Sequence, residues 1–312
     1  MTIEQELADL APPRETVLTI GVFDGVHKGH RYLIETLIGK AREKGLMSGV
    51  VTFHPHPQSV LHPPPLAHEL PSLMNLADRV REIRQLGVEL VAPLSFTPEV
   101  AKLSAQQFVS LLKEYLKMRG LVIGPDFALG KGRQGNAGKL AALGKEMGFF
   151  VHNVPPLRVN NEVVSSTLVR QTLARGDMVK VKDLMGRPFS ITATVVSGDR
   201  RGKTLEFPTA NFEATEQQML PPNGVYASIA HINGKKFASA TNIGVRPTFG
   251  DGKKTVETAV IDYQGELYGK ELKMEFIQKL REEERFASPQ ELKAQIERDI
   301  DQARTILAEE LK

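Results

Sequence analysis

Hydrophobic residues in the first part of the chain fall into short apolar runs that are separated by amphipathic stretches. The runs are rich in β-branched residues, and several are apolar on both faces, as strands inside a parallel sheet are. In the stretch 104–118, Phe108, Leu111, Leu112 and Tyr115 recur at spacings of three and four, which predicts a helix. The alternation of the two patterns predicts βαβ units. The predicted strands are 17–23, 48–53, 88–94, 120–124 and 149–154.

The pattern changes after residue 184. Gly186 and Pro188 interrupt the chain, and the runs that follow alternate polar and apolar residues. This alternation predicts antiparallel strands in a barrel or a sandwich. We therefore predict an α/β fold class with two domains. Residues 1–184 form a Rossmann-like domain with a mainly parallel sheet, and residues 185–312 form an antiparallel β-barrel with a C-terminal helix.

The last helix has a clear start signal. Ser288 is the predicted N-cap, Pro289 the first helical residue, and Glu291 the partner of Ser288 in a capping box. Apolar residues then recur every three or four positions as far as Leu307, which gives the helix one apolar stripe. We expect this stripe to plug or cover the sheet.

Composition excludes several kinds of protein. The 312 residues, 41% of them hydrophobic, suffice for two domains with their own cores. The absence of cysteine excludes disulfides, thiolate metal sites and cysteine nucleophiles. A net charge of +3 is too small for a dedicated nucleic-acid binder, and no apolar run reaches the roughly 18 residues of a membrane span. The acidic N-terminus is unlike a signal peptide, so we predict a cytoplasmic protein without nucleic-acid or membrane partners, whose assembly into a homo-oligomer stays open.

A glycine-spaced turn with two histidines follows the first predicted strand. The sequence GVFDGVHKGH places His27 and His30 three residues apart at the start of a helix. At the carboxyl end of a strand in an α/β sheet, the N–H groups and dipole of such a helix favour phosphate, and imidazoles can donate to its oxygens. Gly25 and Gly29 would let a nucleotide approach the backbone closely. Metal ligation by the two histidines, or a packed helix cap, is the alternative.

A second pattern suited to phosphate lies later in the same domain. Ser165, Ser166 and Thr167 offer hydroxyls and amide N–H groups at a predicted helix start. Arg170, one turn on, offers a fork of donors to phosphates. Such a site can stabilise the charge of a bound phosphate without a nucleophile of its own. An ordinary cap with a solvated arginine is the alternative.

The second domain begins with a basic loop that contains glycine, residues 197–212. Gly198, Gly202 and Lys203 suit a turn that holds phosphate, although the loop does not contain a Walker A motif. A β-hairpin with a charged tip is the alternative interpretation.

Taken together, these motifs resemble a known enzyme family. The tetrapeptide 27–30, His-Lys-Gly-His, resembles the signature of the HxGH nucleotidylyltransferases, and residues 164–170 resemble their second motif. The order of motifs from about Thr16 to the C-terminus resembles the bacterial bifunctional riboflavin kinase/FAD synthetase family. The segments that look like riboflavin kinase are PTAN at 208–211, GVYA at 224–227, NIGVRPTF at 242–249, VET at 256–258 and LREEERF at 280–286.

The resemblance implies two activities and their ligands. The first domain would make FAD from FMN and ATP, with His27 and His30 as catalytic residues, and the second would make FMN from riboflavin and ATP. Both steps would require Mg2+. Glu257 would be the base for the riboflavin 5′-hydroxyl, and Thr209 and Asn211 would hold Mg2+ and the ATP phosphates. The implied nucleotide-binding residues are Gly21, Phe23, Asp24, Gly25, Asp126, Ser165, Ser166, Thr167, Arg170, Gly198, Gly202, Lys203 and Thr209, and the implied flavin-binding residues are His56, Arg281, Glu283 and Phe286.

Four residues depart from the pattern that is usual in the family. They are Glu206 before the PTAN segment, Ala259 after VET, Leu129 after Asp126, and His54 in the segment TFHPHP. Glu206 would place a carboxylate near the ATP phosphates, so we expect weakened ATP binding that the Glu206→Gly substitution restores.

Two other functions stay open at this point. One is another HxGH nucleotidylyltransferase whose second half binds RNA, which calls for a basic strip with stacking aromatics that this half lacks. The other is a flavin-storing or regulatory protein with a decayed kinase site. Glu257 could then be a solvent-facing strand residue and Phe286 a core aromatic.

Overall fold

The computed structural model divides the chain into two units, Met1–Ser166 and Thr167–Lys312. This division lies upstream of the domain boundary predicted at residues 184 and 185, which stays a prediction. The structure describes residues 1–61, 71–196, 209–213, 218–245 and 254–311.

The first unit is built on a five-stranded parallel sheet with the strand order β3-β2-β1-β4-β7. The strand after each crossover pairs in parallel, which confirms the βαβ units predicted from the alternating pattern. All five predicted strands are present, with ends that differ by one or two residues. The strands of this unit are β1 (Thr16–Gly21), β2 (Met47–His54), β3 (Leu90–Ser95), β4 (Met118–Ile123), β5 (Ala128–Leu129), β6 (Gly135–Asn136), β7 (Phe150–Asn153), β8 (Arg158–Val159) and β9 (Glu162–Val163).

Helices cover both faces of this sheet. One core contains Phe108 and Leu112 and packs on one face, and a second contains Ile34 and Ile83 and packs on the other. The helix predicted over 104–118 is shorter than expected, because Lys117 adopts a positive φ of 50°. The helices are α1 (Ile3–Asp9), α2 (Lys28–Glu43), α3 (Pro57–Leu61), α4 (Leu76–Gln85), α5 (Pro98–Lys102), α6 (Ala105–Tyr115), a 3₁₀ turn (Lys131–Arg133), α7 (Ala137–Met147) and α8 (Ser166–Ala174), which continues into the second unit.

The second unit contains a closed antiparallel barrel with the strand order β10-β11-β14-β13-β12-β15. Strand β15 pairs with β10, which closes the ring and decides between the two arrangements that the sequence left open. The elements are α9 (Met178–Met185), β10 (Phe189–Val196), β11 (Thr209–Glu213), β12 (Gly224–Ile232), β13 (Lys235–Val245), β14 (Lys254–Val260), β15 (Glu271–Arg281) and α10 (Pro289–Leu307).

The inside and outside of the barrel have different contents. Tyr226 and Phe276 meet edge to face inside it, with ring centroids 5.6 Å apart. Helix α10 covers the outer wall, where its Ala303 and Leu307 pack against residues such as Ala227. This helix covers the barrel and does not plug it, because the space inside is filled by side chains of the strands themselves.

Helix α10 starts where the sequence predicts. The hydroxyl of Ser288 accepts a hydrogen bond from the N–H of Glu291, and Pro289 is the first helical residue. The reciprocal half of the predicted capping box is wrong. The carboxylate of Glu291 accepts from the N–H of Ala287 at 3.1 Å, and so secures the residue before the cap. In the described part of the chain, no helix has both the length and the apolar character to cross a membrane.

Candidate active sites

The first candidate site lies at the carboxyl edge of the parallel sheet, on the turn between β1 and α2. Strand β1 is the central strand, so the loops that follow β2 and β4 flank this turn. Helix α2 is 16 residues long and has no acidic residue in its first turn, so its N-terminal N–H groups and dipole favour an anion there. This is the position at which open α/β sheets bind ligands.

His27 is the N-cap of α2 and is almost completely buried. Its Nδ1 accepts a hydrogen bond from the N–H of His30 at 3.3 Å. In a neutral imidazole the nitrogen that accepts carries no proton, and the other ring nitrogen is the donor. The rings of His27 and His30 stack, with centroids 3.7 Å apart and planes 16° apart. The structure therefore brings the two predicted catalytic histidines together.

Gly29 makes this stacked arrangement possible. A Cβ at this position would lie 3.0 Å from the carbonyl oxygen of Val164 and 3.2 Å from the ring of His27. The close approach of the segment before α8 therefore favours glycine between the histidines. A purely local reading of the tetrapeptide could not show this contact.

The turn itself has strained backbone. Phe23 and Val26 adopt positive φ values of 54° and 40°, which are unfavourable for side chains with a Cβ and most of all for a β-branched residue. Both side chains are buried, and their packing holds the turn in this conformation. Gly25 has a φ of 80°, which only glycine adopts at little cost. Gly21, another predicted nucleotide-binding residue, ends β1.

Asp24 anchors two other segments to this turn. Its Oδ2 accepts from the N–H of Leu73 at 3.0 Å, and its carbonyl oxygen accepts from the hydroxyl of Ser166 at 3.0 Å. The second bond joins the two predicted phosphate-binding motifs, which lie 142 residues apart in the sequence. Ser165 precedes α8, while Thr167 and Arg170 lie on α8 in the second unit.

Arg79 is a residue of this site that the sequence analysis missed. It lies on α4 with 4% of its surface exposed. Its Nη1 donates to the carbonyl oxygen of Val22 at 2.6 Å, and its Nη2 donates to that of Phe53 at 3.2 Å. Burial lowers the pKa of Arg79, and the nearby charge of Asp24 opposes this shift. Arg79 is one of five charged residues in this amphipathic helix, and nothing in the sequence indicated that it joins the ends of two strands.

The loops beside the turn carry the other predicted residues of the first unit. His54 ends β2, and burial together with the charge of Arg79 lowers the pKa of its imidazole. The Nδ1 of His56 accepts from the N–H of Gln58 at 3.2 Å. Asp126 is exposed in the loop after β4, and its carbonyl oxygen accepts from Arg133 at 2.9 Å. The departure Leu129 is buried in β5.

The second candidate site is a row of polar residues across three strands of the barrel. In the strand register, Glu257 of β14 is opposite Asn211 of β11 on one side and opposite Asn242 of β13 on the other. Residues that are directly opposite share a face, so these three side chains are neighbours. The adjacent Thr258 belongs to the other face, where its hydroxyl is 2.8 Å from that of Thr241 inside the barrel. The row is therefore on the outer face.

Asn242 begins the segment NIGVRPTF, but the sequence analysis gave it no role. The strand register places its amide beside the carboxylate of Glu257. Thr209 is opposite the departure Ala259 in the same register. The oxygens of Asn211 and Glu257 are of the kind that Mg2+ prefers, so this row fits the predicted metal better than the imidazoles of the first site do.

Glu283 and Gly244 lie close together beside this row. A Cβ on Gly244 would overlap an oxygen of Glu283, so the carboxylate packs directly on the backbone there. The amide of Asn223 donates to the same carboxylate at 2.9 Å. Gly244 is two residues from Asn242 on β13 and so has the same orientation in the strand.

Arg281 forms a partly buried ion pair with Asp299. Its guanidinium donates to both carboxylate oxygens of Asp299, with 2.8 Å from Nη2 to Oδ2. It also lies 5.7 Å from the ring centroid of Phe286. Two of the predicted flavin-binding residues are thus in contact, and the partner Asp299 was not identified from the sequence.

Some predictions fall outside the described residues. They concern Gly198, Gly202, Lys203 and Glu206, and also the side chain of Thr209. Among the residues that the structure does describe, no group of three or more histidine, aspartate or glutamate side chains could hold a metal ion.

Comparison with known proteins identifies both halves. The family model described as FAD synthetase matches residues 10–168, and the one described as riboflavin kinase matches residues 185–307. The bifunctional riboflavin kinase/FMN adenylyltransferase of Escherichia coli (strain K12) is 38% identical, over 93% of this chain and 92% of that protein. The protein of the same name from Pseudomonas fluorescens is 38% identical, over 99% of this chain and 98% of that protein.

A solved structure also matches almost the whole chain. It is described as a macrolide-efflux protein from Streptococcus pneumoniae, and it aligns with a TM-score of 0.87 and 28% identity, covering 96% of each chain. The two family matches follow the same order as the two predicted domains, and full-length relatives exceed 30% identity. The chain therefore belongs to the family of bifunctional riboflavin kinase/FMN adenylyltransferases.

Proposed function

We propose that this protein makes FAD from riboflavin in two steps that use ATP. The second unit phosphorylates riboflavin to FMN, and the first transfers the adenylyl group of ATP to FMN with release of pyrophosphate. The observation that carries this proposal is the presence of two separate arrangements in one chain: the stacked histidines at the start of α2, and the row formed by Asn211, Glu257 and Asn242.

In the adenylyl transfer, the protein supplies positioning and charge stabilisation. A phosphate oxygen of FMN attacks the α-phosphorus of ATP, and the bond to the leaving pyrophosphate breaks. The Nε2–H of His27 donates to the transferring group, and His30 is held against it. The hydroxyl of Ser166 donates to the carbonyl oxygen of Asp24 and so holds Ser166 at the turn. The site needs no covalent intermediate with the protein.

In the phosphoryl transfer, Glu257 is the general base. It takes the proton of the riboflavin 5′-hydroxyl, whose oxygen attacks the γ-phosphorus of ATP as ADP leaves. Asn211 and Thr209 are the candidate ligands of Mg2+, together with the ATP phosphates. The bound ion would neutralise phosphate charge, while Asn242 orients the carboxylate of Glu257 from the neighbouring strand.

Because both steps consume ATP, we place the enzyme in the cytoplasm.

The test measures the formation of both flavin products, FMN and FAD. Purified protein with Mg2+, ATP and either riboflavin or FMN is sampled by chromatography, and the variants His27→Ala and Glu257→Ala are assayed beside it. We expect Glu257→Ala to lose FMN formation from riboflavin and His27→Ala to lose FAD formation from FMN. Each variant retains the other step, which is its internal control for folding.

The opposite results are equally clear. If both flavins bind but neither is converted, the protein stores or senses flavin. If His27→Ala abolishes both steps equally, the assignment of one step to each unit is wrong.

A further inference from the structure

The segment that joins β15 to α10, residues 282–288, borders the polar row of the second unit. Glu283 in this segment packs on Gly244 and accepts a hydrogen bond from Asn223. Gly244 lies on β13 with the same orientation as Asn242, which is opposite Glu257. The conformation of this segment therefore affects what can reach the row.

Arg281, the last residue of β15, contacts two residues of this segment. Its Nη1 donates to the carbonyl oxygen of Glu282 at 3.0 Å, and its guanidinium faces the ring of Phe286 at 5.7 Å from the centroid. A cation over an aromatic ring is attracted to it, and the attraction grows as water is excluded. The same side chain thus holds both the first residue of the segment and the aromatic residue near its end.

Asp299 fixes the orientation of Arg281. Its carboxylate, 5% exposed, accepts from Nε at 3.0 Å and from Nη2 at 2.8 Å, which is the two-point geometry that suits a planar guanidinium. Gln295, one turn earlier on α10, donates to Oδ1 at 2.9 Å. The carboxylate is therefore itself held in one position.

We infer that Asp299 is a positioning residue for riboflavin binding in the second unit, and this inference rests on the kinase function proposed above. Asp299 touches neither substrate nor the reacting atoms. It holds Arg281, and through Arg281 it holds the segment 282–288 beside the polar row. Without Asp299, the half-buried guanidinium loses its counter-charge and turns toward water, because an unpaired buried charge is costly.

A second ion pair between α10 and the barrel is the matched control. Arg304 of α10 donates to Asp262, which follows β14, at 2.7 Å. This pair is exposed. None of the contacts described for its two residues involves the segment 282–288. If the role of Asp299 were only to dock the helix, breaking either pair would act through stability alone.

The experiment measures riboflavin affinity apart from turnover. The dissociation constant of riboflavin is obtained from the quenching of its fluorescence, and kcat and KM for FMN formation are measured on the same full-length samples. The variants are Asp299→Asn, Asp299→Glu, Arg281→Ala, the double variant Arg281→Ala with Asp299→Asn, and Arg304→Ala. FAD formation from FMN and the Tm report on folding.

We expect Asp299→Asn to raise the KM and dissociation constant for riboflavin about tenfold with a smaller change in kcat. The double variant should bind no more weakly than Arg281→Ala, because coupled residues are not additive. Asp299→Glu should recover part of the riboflavin affinity. If Asp299→Asn does not fold, the comparison is made with Asp299→Glu and Arg281→Ala instead. Arg304→Ala should leave riboflavin binding unchanged.

Two results would overturn the inference. One is a lower Tm for Asp299→Asn with unchanged riboflavin affinity. The other is a double variant whose dissociation constant for riboflavin rises by the product of the two single-variant factors. In both cases the wild type still forms FMN, so the proposed function survives. A wild type that neither binds nor phosphorylates riboflavin would overturn both proposals.

Discussion

The two candidate sites are assembled in different ways. In the first unit, His27, Gly29 and His30 come from four consecutive residues on one turn, and the backbone conformation of that turn sets their geometry. In the second unit, Asn211, Glu257 and Asn242 come from three strands, and the pairing of the strands sets their geometry.

This difference determines how each site can fail. A site on one strained turn depends on the few close contacts that hold the backbone, so a single added methyl group can disrupt it. A site on a barrel wall depends on register, which many hydrogen bonds share. One altered side chain then removes one group without moving the others.

The largest effect should come from Gly29→Ala. The added Cβ would meet the carbonyl oxygen of Val164 at 3.0 Å and the ring of His27 at 3.2 Å, so one of them must move. We expect FAD formation from FMN to fall about a hundredfold, because small displacements of reacting groups have effects of that size. Steady-state assays of the two steps measure this, and FMN formation from riboflavin should be unchanged.

Gly39→Ala is the control for that prediction. Gly39 is exposed on the same helix, and a Cβ there would have no neighbour within 4 Å. This variant should keep full activity and gain a little stability, because alanine favours a helix. Equal losses in the two variants would mean that the turn is not the sensitive element.

A smaller effect is expected for Asn242→Ala in the second unit. The strand pairing stays intact and only one polar neighbour of Glu257 is lost, so kcat/KM for FMN formation should fall about tenfold, the range of one hydrogen bond to a charged group. The control is Lys236→Ala, at the exposed end of the same strand. A loss as large as that for Gly29→Ala would remove the distinction between the two sites.

Arg79→Met tests whether the turn in the first unit depends on distant residues. The substitution removes the donors to the carbonyl oxygens of Val22 and Phe53. We expect a loss of about 2 kcal/mol in the free energy of unfolding and about a fivefold fall in FAD formation. The control is Arg81→Met on the same helix, because the side chain of Arg81 is 52% exposed and it pairs with Asp78 one turn away rather than with the carbonyl oxygens of the turn. An unaffected rate in Arg79→Met would show that the turn is self-sufficient.

The smallest effect concerns the stability of the barrel in acid. Burial raises the pKa of Glu275, but hydrogen bonds from His231 and Lys273 outweigh this and lower it to about 2. The folded state therefore binds the proton more weakly than the unfolded state does. The stabilisation is complete above the normal pKa near 4.5 and is lost as the pH falls toward 2.

Urea unfolding of the wild type and of Glu275→Gln at pH 5 and pH 3 measures this contribution. The wild type should lose about 1 kcal/mol more than the variant over this range, a value that allows for partial exposure of the pair. Glu271→Gln, at the exposed start of the same strand, should behave like the wild type. A pH dependence of Glu275→Gln equal to that of the wild type would contradict the assignment.

Local patterns were sufficient for much of this molecule. Five parallel strands lie where apolar runs predicted them, and α10 begins at Ser288 as its cap signal indicates. Both patterns depend on interactions between residues that are close in the sequence. Apolar runs bury both faces of a strand, and a cap residue accepts hydrogen bonds from the free N–H groups at a helix start. The stacked histidines were also within reach, because a spacing of three residues fixes their proximity on a helix.

Contacts between distant segments were beyond such patterns. The bond from Ser166 to Asp24, the carbonyl partners of Arg79 and the pair of Arg281 with Asp299 each join residues on different elements. Nothing in the local sequence around Asp299 distinguishes it from the exposed acids of the same helix. The missing half of the capping box at Glu291 is of the same kind, because the chain direction before the helix decides which N–H the carboxylate meets.

The sequence by itself determined the order of elements, the two halves of the chain and the motifs that carry phosphate chemistry, because each depends on residues that are close in the chain. Tertiary structure decided that the second half is a closed barrel, that Asn242 stands opposite Glu257 and that Arg79 braces the turn beside the histidines. These features depend on strand register and on packing between elements, and the energies that fix them arise only when distant segments meet.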